Sequence, residues 1–280
     1  MTGQSSSSSR TVSAVRSRGD IATAPRIVVK VGSSSISGPN VGQIVPLVDA
    51  LAAAHARGSE VILVSSGAIA TGLPYLKLDS RPTDLATQQA AAAVGQNVLI
   101  YRYQESLDRY SIVAAQVLLT AGDLVNPTHR SNAQRAMERL LGLRILPIVN
   151  ENDTVATHEI RFGDNDHLAA LVSQLVGADV LVLLSDVDAL YSAPPSEPGA
   201  SKITEVSFGD DLAGVTFGDI GAAGVGTGGA GTKVAAAKLA AAAGTPVLLA
   251  ATGQVAEALT GADIGTWFEA APARARPAGA

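Results

Sequence analysis

Residues 26–31 read RIVVKV, residues 60–65 read EVILVS, and between them lies VGQIVPLVDALAAAHARG, residues 41–58. The flanking runs are short and almost continuously apolar, the pattern of strands covered on both faces. In the middle segment Ile44, Leu47, Val48 and Leu51 fall on one helical face, and Gly58 ends the run. Strand, helix, strand is the unit from which parallel sheets are built. It recurs down the chain, with further strands expected at IVAAQVLL (112–119), RILPIVN (144–150), VLVLLS (180–185) and PVLLAA (246–251), separated by alanine-rich helical segments. The pattern predicts an α/β fold with a mostly parallel sheet sandwiched by helices.

A chain of 280 residues can bury a sizeable core. Its 20 basic and 25 acidic residues give a formal charge of -5, which offers nothing for holding nucleic acid. Cysteine is absent, so thiolate nucleophiles, disulfides and thiolate zinc sites are excluded. The longest apolar runs are too short to span a bilayer, so the expected protein is soluble and cytoplasmic. Residues 1–24 are serine-rich and read as a disordered N-terminal tail, with an organellar transit peptide as the alternative suggested by Arg10, Arg16 and Arg18. Residues 25–270 form the expected folded domain and residues 271–280 a flexible C-terminal tail.

In open α/β sheets, ligands collect at the carboxyl ends of the strands, where helix N-termini and glycine turns converge. Four expected strands end in polar turns: KVGSSS, SSGAIATG, NEND and SDVDALY. Lys30, Gly32 and Ser33 bring an ammonium and exposed amides to one spot, a combination suited to phosphate. Ser66 and Gly67 open an apolar helix, where backbone amides favour anions. Taken singly, a surface lysine and a capping serine explain these two turns as well. A glycine-rich run from Gly218 to Gly231 leads into a helix expected to start near Thr232, with Lys233 in its first turn. It is not the common nucleotide P-loop, which needs lysine directly after the last glycine. So many glycines cost folding entropy unless a backbone must approach something closely, which favours a mobile cover over a nucleotide.

NENDTVATHEIRFGDND, residues 150–166, concentrates oxygen: Glu151, Asp153, Glu159, Asp164 and Asp166, with Asn150, Asn152 and Asn165 among them. The calcium-loop spacing is not met, and no dedicated metal cage is expected. Carboxamides can bind a carboxylate without repelling it, while Asp153 or Asp164 pairs with an ammonium, and the two needs together describe an amino acid. A wet acidic loop is the plain alternative. None of His55, His129, His158 and His167 sits in a nucleophilic arrangement, and each is expected to be a surface or capping residue.

Taken in order, VVKVGSSSIS, VSSGAIATG, NENDTVAT, FGDND, LLSDVDALY and GVGTGGAGTK resemble the kinase domain of the glutamate 5-kinases, a branch of the amino acid kinase family, from Arg26 to about Phe268. The resemblance implies a three-layer α/β/α sandwich that transfers the ATP γ-phosphoryl group to the side-chain carboxylate of L-glutamate, the first step of proline synthesis. It implies ATP with Mg2+, a homo-oligomer (dimer or tetramer) and proline as feedback inhibitor, and the lability of an acyl phosphate suggests hand-off of the product to a glutamyl phosphate reductase. By motif it gives Lys30, Lys233 and Asp166 catalytic roles, with Asp166 orienting both lysines. Ser66, Gly67, Asp153, Asp164 and Asn165 would bind substrate. Lys30, Gly32, Ser33, Ser185, Asp186, Gly228, Gly229, Ala230, Gly231, Thr232 and Lys233 would bind nucleotide. Many relatives continue into a small PUA domain where this sequence stops, and GGAGTK stands where GGMSTK is common. Related kinases acting on aspartate or N-acetylglutamate, or a non-catalytic amino acid sensor, are the alternatives.

Overall fold

β1 (Arg26–Val31) is buried at all six positions, and its alternate side chains serve two different cores. Ile27, Val29 and Val31 face one layer of helices, while Val28 faces the other, as the two-residue period of a strand requires. The computed structural model describes residues 15–156, 165–216 and 229–272. Their remaining elements are α1 (Ile44–Ala56), β2 (Glu60–Val64), α2 (Ala68–Gly72), α3 (Leu85–Asp108), β3 (Ala114–Leu119), α4 (Ala121–Val125), α5 (Pro127–Gly142) and β4 (Leu146–Glu151). They continue with α6 (Asn165–Val176), β5 (Val180–Ser185), β6 (Leu190–Tyr191), β7 (Lys202–Ile203), β8 (Glu205–Val206), α7 (Ala230–Ala242), β9 (Val247–Ala251), α8 (Val255–Leu259) and β10 (Thr266–Phe268).

Eight strands form one sheet in the order β3-β4-β2-β1-β5-β9-β10-β8, and every neighbouring pair is parallel except β9 with β10. All six strands expected from sequence are present. Leu47, Val48 and Leu51 of α1, Leu99 and Tyr103 of α3 and Leu259 of α8 cover one face. Met137 of α5, Leu168 and Val172 of α6 and Val234 of α7 cover the other. The result is a three-layer sandwich. Because the chain leaves β1 toward β2 on one side and returns as β5 on the other, β1 lies at the crossover of the sheet, where such folds place their ligands.

Two expectations are corrected. The segment Val15–Ala24, read as part of a disordered tail, is built into the domain. It forms a 3-10 turn over Arg18–Thr23 with Ser17 and Asp20 in a capping box, and Ile21 is wholly buried in the core of the α1 layer. Arg18 fastens it to the sheet edge, its Nε donating to the carbonyl of Ile264 at 3.0 Å and its guanidinium also reaching the Thr204 carbonyl. A single isoleucine with a place in the core outweighs the serine-rich composition around it. The helix expected near Thr232 begins at Ala230, capped by extended Gly229. The short strands β6, β7, β8 and β10 had no periodic signature to announce them; a two- or three-residue strand carries too few positions for one. Residues 1–14 and 273–280 of the expected tails lie outside the described residues.

Candidate active site

Lys30 follows Val28 by two residues, so its side chain projects from β1 on the side roofed by α6 and α7. Each of these helices brings one charge to the same spot. Asp166 stands in the first turn of α6 and Lys233 in the first turn of α7. Lys233 Nζ lies 2.9 Å from Asp166 Oδ2, and Lys30 Nζ pairs with Asp166 Oδ1. All three residues are buried, at 1% exposure for Lys30, 0% for Asp166 and 8% for Lys233.

The charges of this triad sum to plus one. Burying ions is costly, and one carboxylate divided between two ammonium groups offsets that cost incompletely. The remainder favours an anion. The helix arrangement works in the same sense, since both α6 and α7 begin here and helix N-termini carry partial positive charge. Asp166 does two things at once: it reduces repulsion between the lysines and fixes the direction of each.

The β1 turn supplies room beside the lysine. A Cβ placed on Gly32 would stand 3.9 Å from Lys30 Nζ and from Ser34 Oγ, in ordinary contact with both, so Gly32 lies directly beside the ammonium. Ser33 opens a short 3-10 turn, and its carbonyl accepts from Ser37 Oγ at 2.6 Å. Gly67, after β2, has φ +90°, a left-handed conformation that favours glycine. An added Cβ would lie 3.4 Å from Ser33 Cα, so the two turns touch. Between them Ser66 Oγ is buried and without a hydrogen-bond partner among the described residues. A buried hydroxyl in that state awaits a partner.

Behind this cradle runs a chain of carboxamides. Asn165 Nδ2 donates to the Ser65 carbonyl at 2.5 Å and to Asn150 Oδ1 at 2.6 Å, while Asn150 Nδ2 donates to Gln96 Oε1 at 3.3 Å. Asn150 Oδ1 also accepts from the backbone of Glu151 at 2.9 Å. Asn150 thus has its oxygen filled and one of its two amide hydrogens committed inside the protein, so it serves at least in part as scaffold. Among the described residues Asn165 has both amide hydrogens committed, which leaves its Oδ1 as the end able to accept. That end can accept from a cation but cannot donate to a carboxylate. Asn152 Oδ1 is likewise engaged, by Thr154 Oγ1 at 2.5 Å.

The remaining site residues sort by strand end. Asp153 stands half-buried in the turn after β4. Ser185, buried at the end of β5, donates its hydroxyl to Asp186 Oδ1 at 3.0 Å, and Asp186 itself is exposed. Gly229, Ala230, Gly231 and Thr232 form the entrance to α7, where Thr232 Oγ1 donates to the Gly229 carbonyl at 2.9 Å. An added Cβ on Gly231 would meet nothing within 4 Å. Asp164 and Gly228 lie outside the described residues.

Sequence reasoning missed Thr252, at the end of β9. Its hydroxyl lies 3.0 Å from the Ser185 carbonyl and 2.9 Å from Ser35 Oγ, tying the turns after β5, β9 and β1 together. The signal was present, a threonine and glycine closing an apolar strand, as at the other turns. Gln96 was missed for the opposite reason: a glutamine in an alanine-rich helix gives no sign that it will be enclosed. Among the described residues no three His, Asp or Glu side chains cluster to hold a metal.

The sequence pattern of the amino acid kinase family matches residues 25–251. The chain belongs to the amino acid kinase family. Within it, the chain is 78% identical over 252 residues to the glutamate 5-kinase of Clavibacter sepedonicus, spanning 90% of this chain and 97% of that one. The glutamate 5-kinase of Leifsonia xyli subsp. xyli is 73% identical over 257 residues, 92% of this chain and 94% of that one. That of Streptomyces coelicolor is 55% identical over 254 residues, which are 89% of this chain and 68% of the longer relative. A solved amino acid kinase fold, the carbamate kinase from Giardia lamblia bound to AMP-PNP, superposes with a TM-score of 0.65 at 17% identity, over 89% of this chain and 100% of that one. At that identity it speaks for the fold alone.

Proposed function

We propose that the triad Lys30–Asp166–Lys233 is the phosphoryl-transfer centre of a glutamate 5-kinase. The chain phosphorylates the side-chain carboxylate of L-glutamate at the expense of ATP, as the name shared by its relatives says of them. The single observation that carries the assignment of residues is one buried carboxylate holding two ammonium groups. In the reaction a carboxylate oxygen forms a bond to the γ-phosphorus, the bond to the β–γ bridging oxygen breaks, and ADP leaves with that electron pair. No proton is removed from the acceptor, since a carboxyl group with a reference pKa near 4.3 is ionised at neutral pH, and no general base is needed.

What the protein must supply is relief of repulsion between two anions and their alignment in line. Lys30 and Lys233 meet the migrating group, and Asp166 sets their aim. The amides of Gly32 and Ser33 and the start of α7 from Gly229 to Thr232 receive the nucleotide phosphates, with Ser185 and Asp186 on the nucleoside side. For glutamate, Ser66 Oγ and the Gly67 turn meet a carboxylate, and Asn165 Oδ1 with Asp153 meets the ammonium. This reverses the donor role first expected of Asn165. When bound, Mg2+ neutralises phosphate charge and enters held chiefly by the nucleotide.

Inhibition by proline, assembly into dimers or tetramers, hand-off of the labile acyl phosphate to a glutamyl phosphate reductase and a cytoplasmic location belong to the same proposal. No helix among the described residues is long and apolar enough to cross a membrane. The deciding experiment is ADP release in the presence of ATP and magnesium, with L-glutamate, L-aspartate and N-acetylglutamate compared as acceptors. Turnover with glutamate alone is expected. Preference for N-acetylglutamate would contradict the ammonium contacts, and folded protein inactive with all three would remove the assignment.

A further inference from the structure

Ser65, the last residue before the substrate turn, is held from three directions. Its N–H donates to the Val149 carbonyl of β4 at 2.8 Å. Its carbonyl accepts from Asn165 Nδ2 at 2.5 Å, on the α6 side of the sheet. Its hydroxyl, on the α1 side, lies 3.0 Å from the hydroxyl of Tyr103. Tyr103 belongs to α3, is wholly buried in the core of that layer, and has no part in the phosphoryl chemistry.

The direction of these bonds follows from proton counting. Ser65 Oγ also reaches the Ser66 carbonyl, at 3.3 Å. A carbonyl only accepts, so the single serine proton goes there, and the Oγ lone pairs are left to accept from the phenol. The chain therefore runs from the Tyr103 O–H to Ser65 Oγ, and from the Ser65 O–H to the backbone oxygen of Ser66. It ends on the peptide of the residue whose own hydroxyl is buried without a partner among the described residues. Burial pushes the Tyr103 phenol far above the ordinary tyrosine range, so it stays a donor at any working pH.

We infer that Tyr103 is a positioning residue for the amino acid substrate: acting through Ser65, it sets the Ser66 peptide so that Ser66 Oγ faces the substrate carboxylate. The inference rests on the assignment of Ser66 to glutamate made above. A tyrosine that merely fills the core would satisfy its hydroxyl on any nearby acceptor. Here it ends on a turn already fixed by a second strand and by Asn165, and the three grips leave the Ser66 peptide little freedom to rotate. The packing of α2 against α3 agrees with this. Gly72 and Gly95 let the two helices approach so closely that an added Cβ on Gly95 would lie 1.8 Å from the Ala68 carbonyl oxygen, two residues beyond Ser66. α3 thus holds the substrate turn by backbone contact as well as by Tyr103.

The test is steady-state kinetics of Tyr103→Phe, Ser65→Ala, their combination and Ser66→Ala, with melting temperatures alongside. Tyr103→Phe should raise KM for glutamate by about three- to tenfold, the effect of losing one buried hydrogen bond, while KM for ATP and kcat stay within about twofold. The ratio to wild type should be flat from about pH 6.5 to 9, because the phenol does not titrate there. The combined variant should be no worse than the more affected single one, since both remove the same bond. If Ser66→Ala raises KM for glutamate and Tyr103→Phe does not, the inference is overturned and the assignment of Ser66 stands. If neither changes it, both are overturned. Equal rises in both KM values with a lowered melting temperature would show a structural role only and also overturn it. Should Tyr103→Phe fail to fold, Ser65→Ala decides by the same criteria.

Discussion

β1 carries a buried cation near each end, and the two are treated in opposite ways. Arg26 at one end is 4% exposed and saturated with acceptors. Its guanidinium reaches Glu60 at 2.7 Å, Glu138 at 2.6 Å and the Val176 carbonyl, and its backbone N–H donates to Asp179 Oδ2 at 2.7 Å. Burial works against its charge, but Glu138 and Glu60 more than offset that and hold its pKa above the ordinary arginine value. Lys30 at the other end shares a single carboxylate with a second lysine. Arg26, Val28 and Lys30 lie on the same side of the strand, beneath the same helix layer, so neither depth nor secondary structure separates the two ends. The ratio of acid to base does. Among the described residues, two acids hold the one cation at the first end, a closed structural joint, whereas two cations share Asp166 at the second, an arrangement that favours another anion.

The comparison breaks most visibly on Lys30→Met, which keeps the length of the side chain and removes its charge. Turnover should fall by about a thousandfold, as loss of a transition-state charge contact does. The melting temperature should hold or rise, because Asp166 and Lys233 are left as a balanced pair. A variant that unfolds instead would place Lys30 with Arg26 among the structural cations. Arg26→Met should do the reverse. It leaves Glu60 and Glu138 without their cation, and because both are partly solvated the expected loss is about 2–3 kcal/mol, below that of a fully buried pair. Denaturant unfolding would measure it, and the KM values of the folded enzyme should not move.

Smaller effects sharpen the contrast between backbone that is filled and backbone left open. Gly95→Ala forces α2 away from α3 and should cost about 2 kcal/mol, with a rise in KM for glutamate and none for ATP. Equal changes in both constants would mean that the α2–α3 contact supports the whole site rather than one turn. Gly231→Ser should change stability by no more than about 0.5 kcal/mol, since nothing stands within 4 Å of the added atom. Restoring the hydroxyl common in relatives should leave KM for ATP unchanged or lower it slightly. A marked rise would show that the open space at the start of α7 is needed by the nucleotide.

The fold was legible because its central strands are long and apolar enough to display their period, and because glycine turns mark where they stop. β8 and β10 are too short for that and are held by neighbours that the sequence does not name. Lys30, Asp166 and Lys233 were legible as motifs, and the structure shows why they belong together: residue parity on β1 and the first turns of two helices converge. The division of labour among the carboxamides was not legible. Asn150 and Asn165 look equivalent in NENDTVATHEIRFGDND, yet among the described residues Asn150 has its oxygen filled and one amide hydrogen on Gln96, whereas Asn165 has both amide hydrogens committed and its oxygen left to accept. That difference depends on where α3 passes, more than fifty residues earlier in the chain.

The most direct test of the shared-carboxylate centre is a crystal structure with ADP, magnesium, L-glutamate and aluminium fluoride standing in for the group in flight. Both Lys30 Nζ and Lys233 Nζ should lie within about 3.2 Å of its fluorine or oxygen atoms, with Asp166 still between them. Either ammonium found more than about 6 Å away, turned toward another partner, would contradict the account.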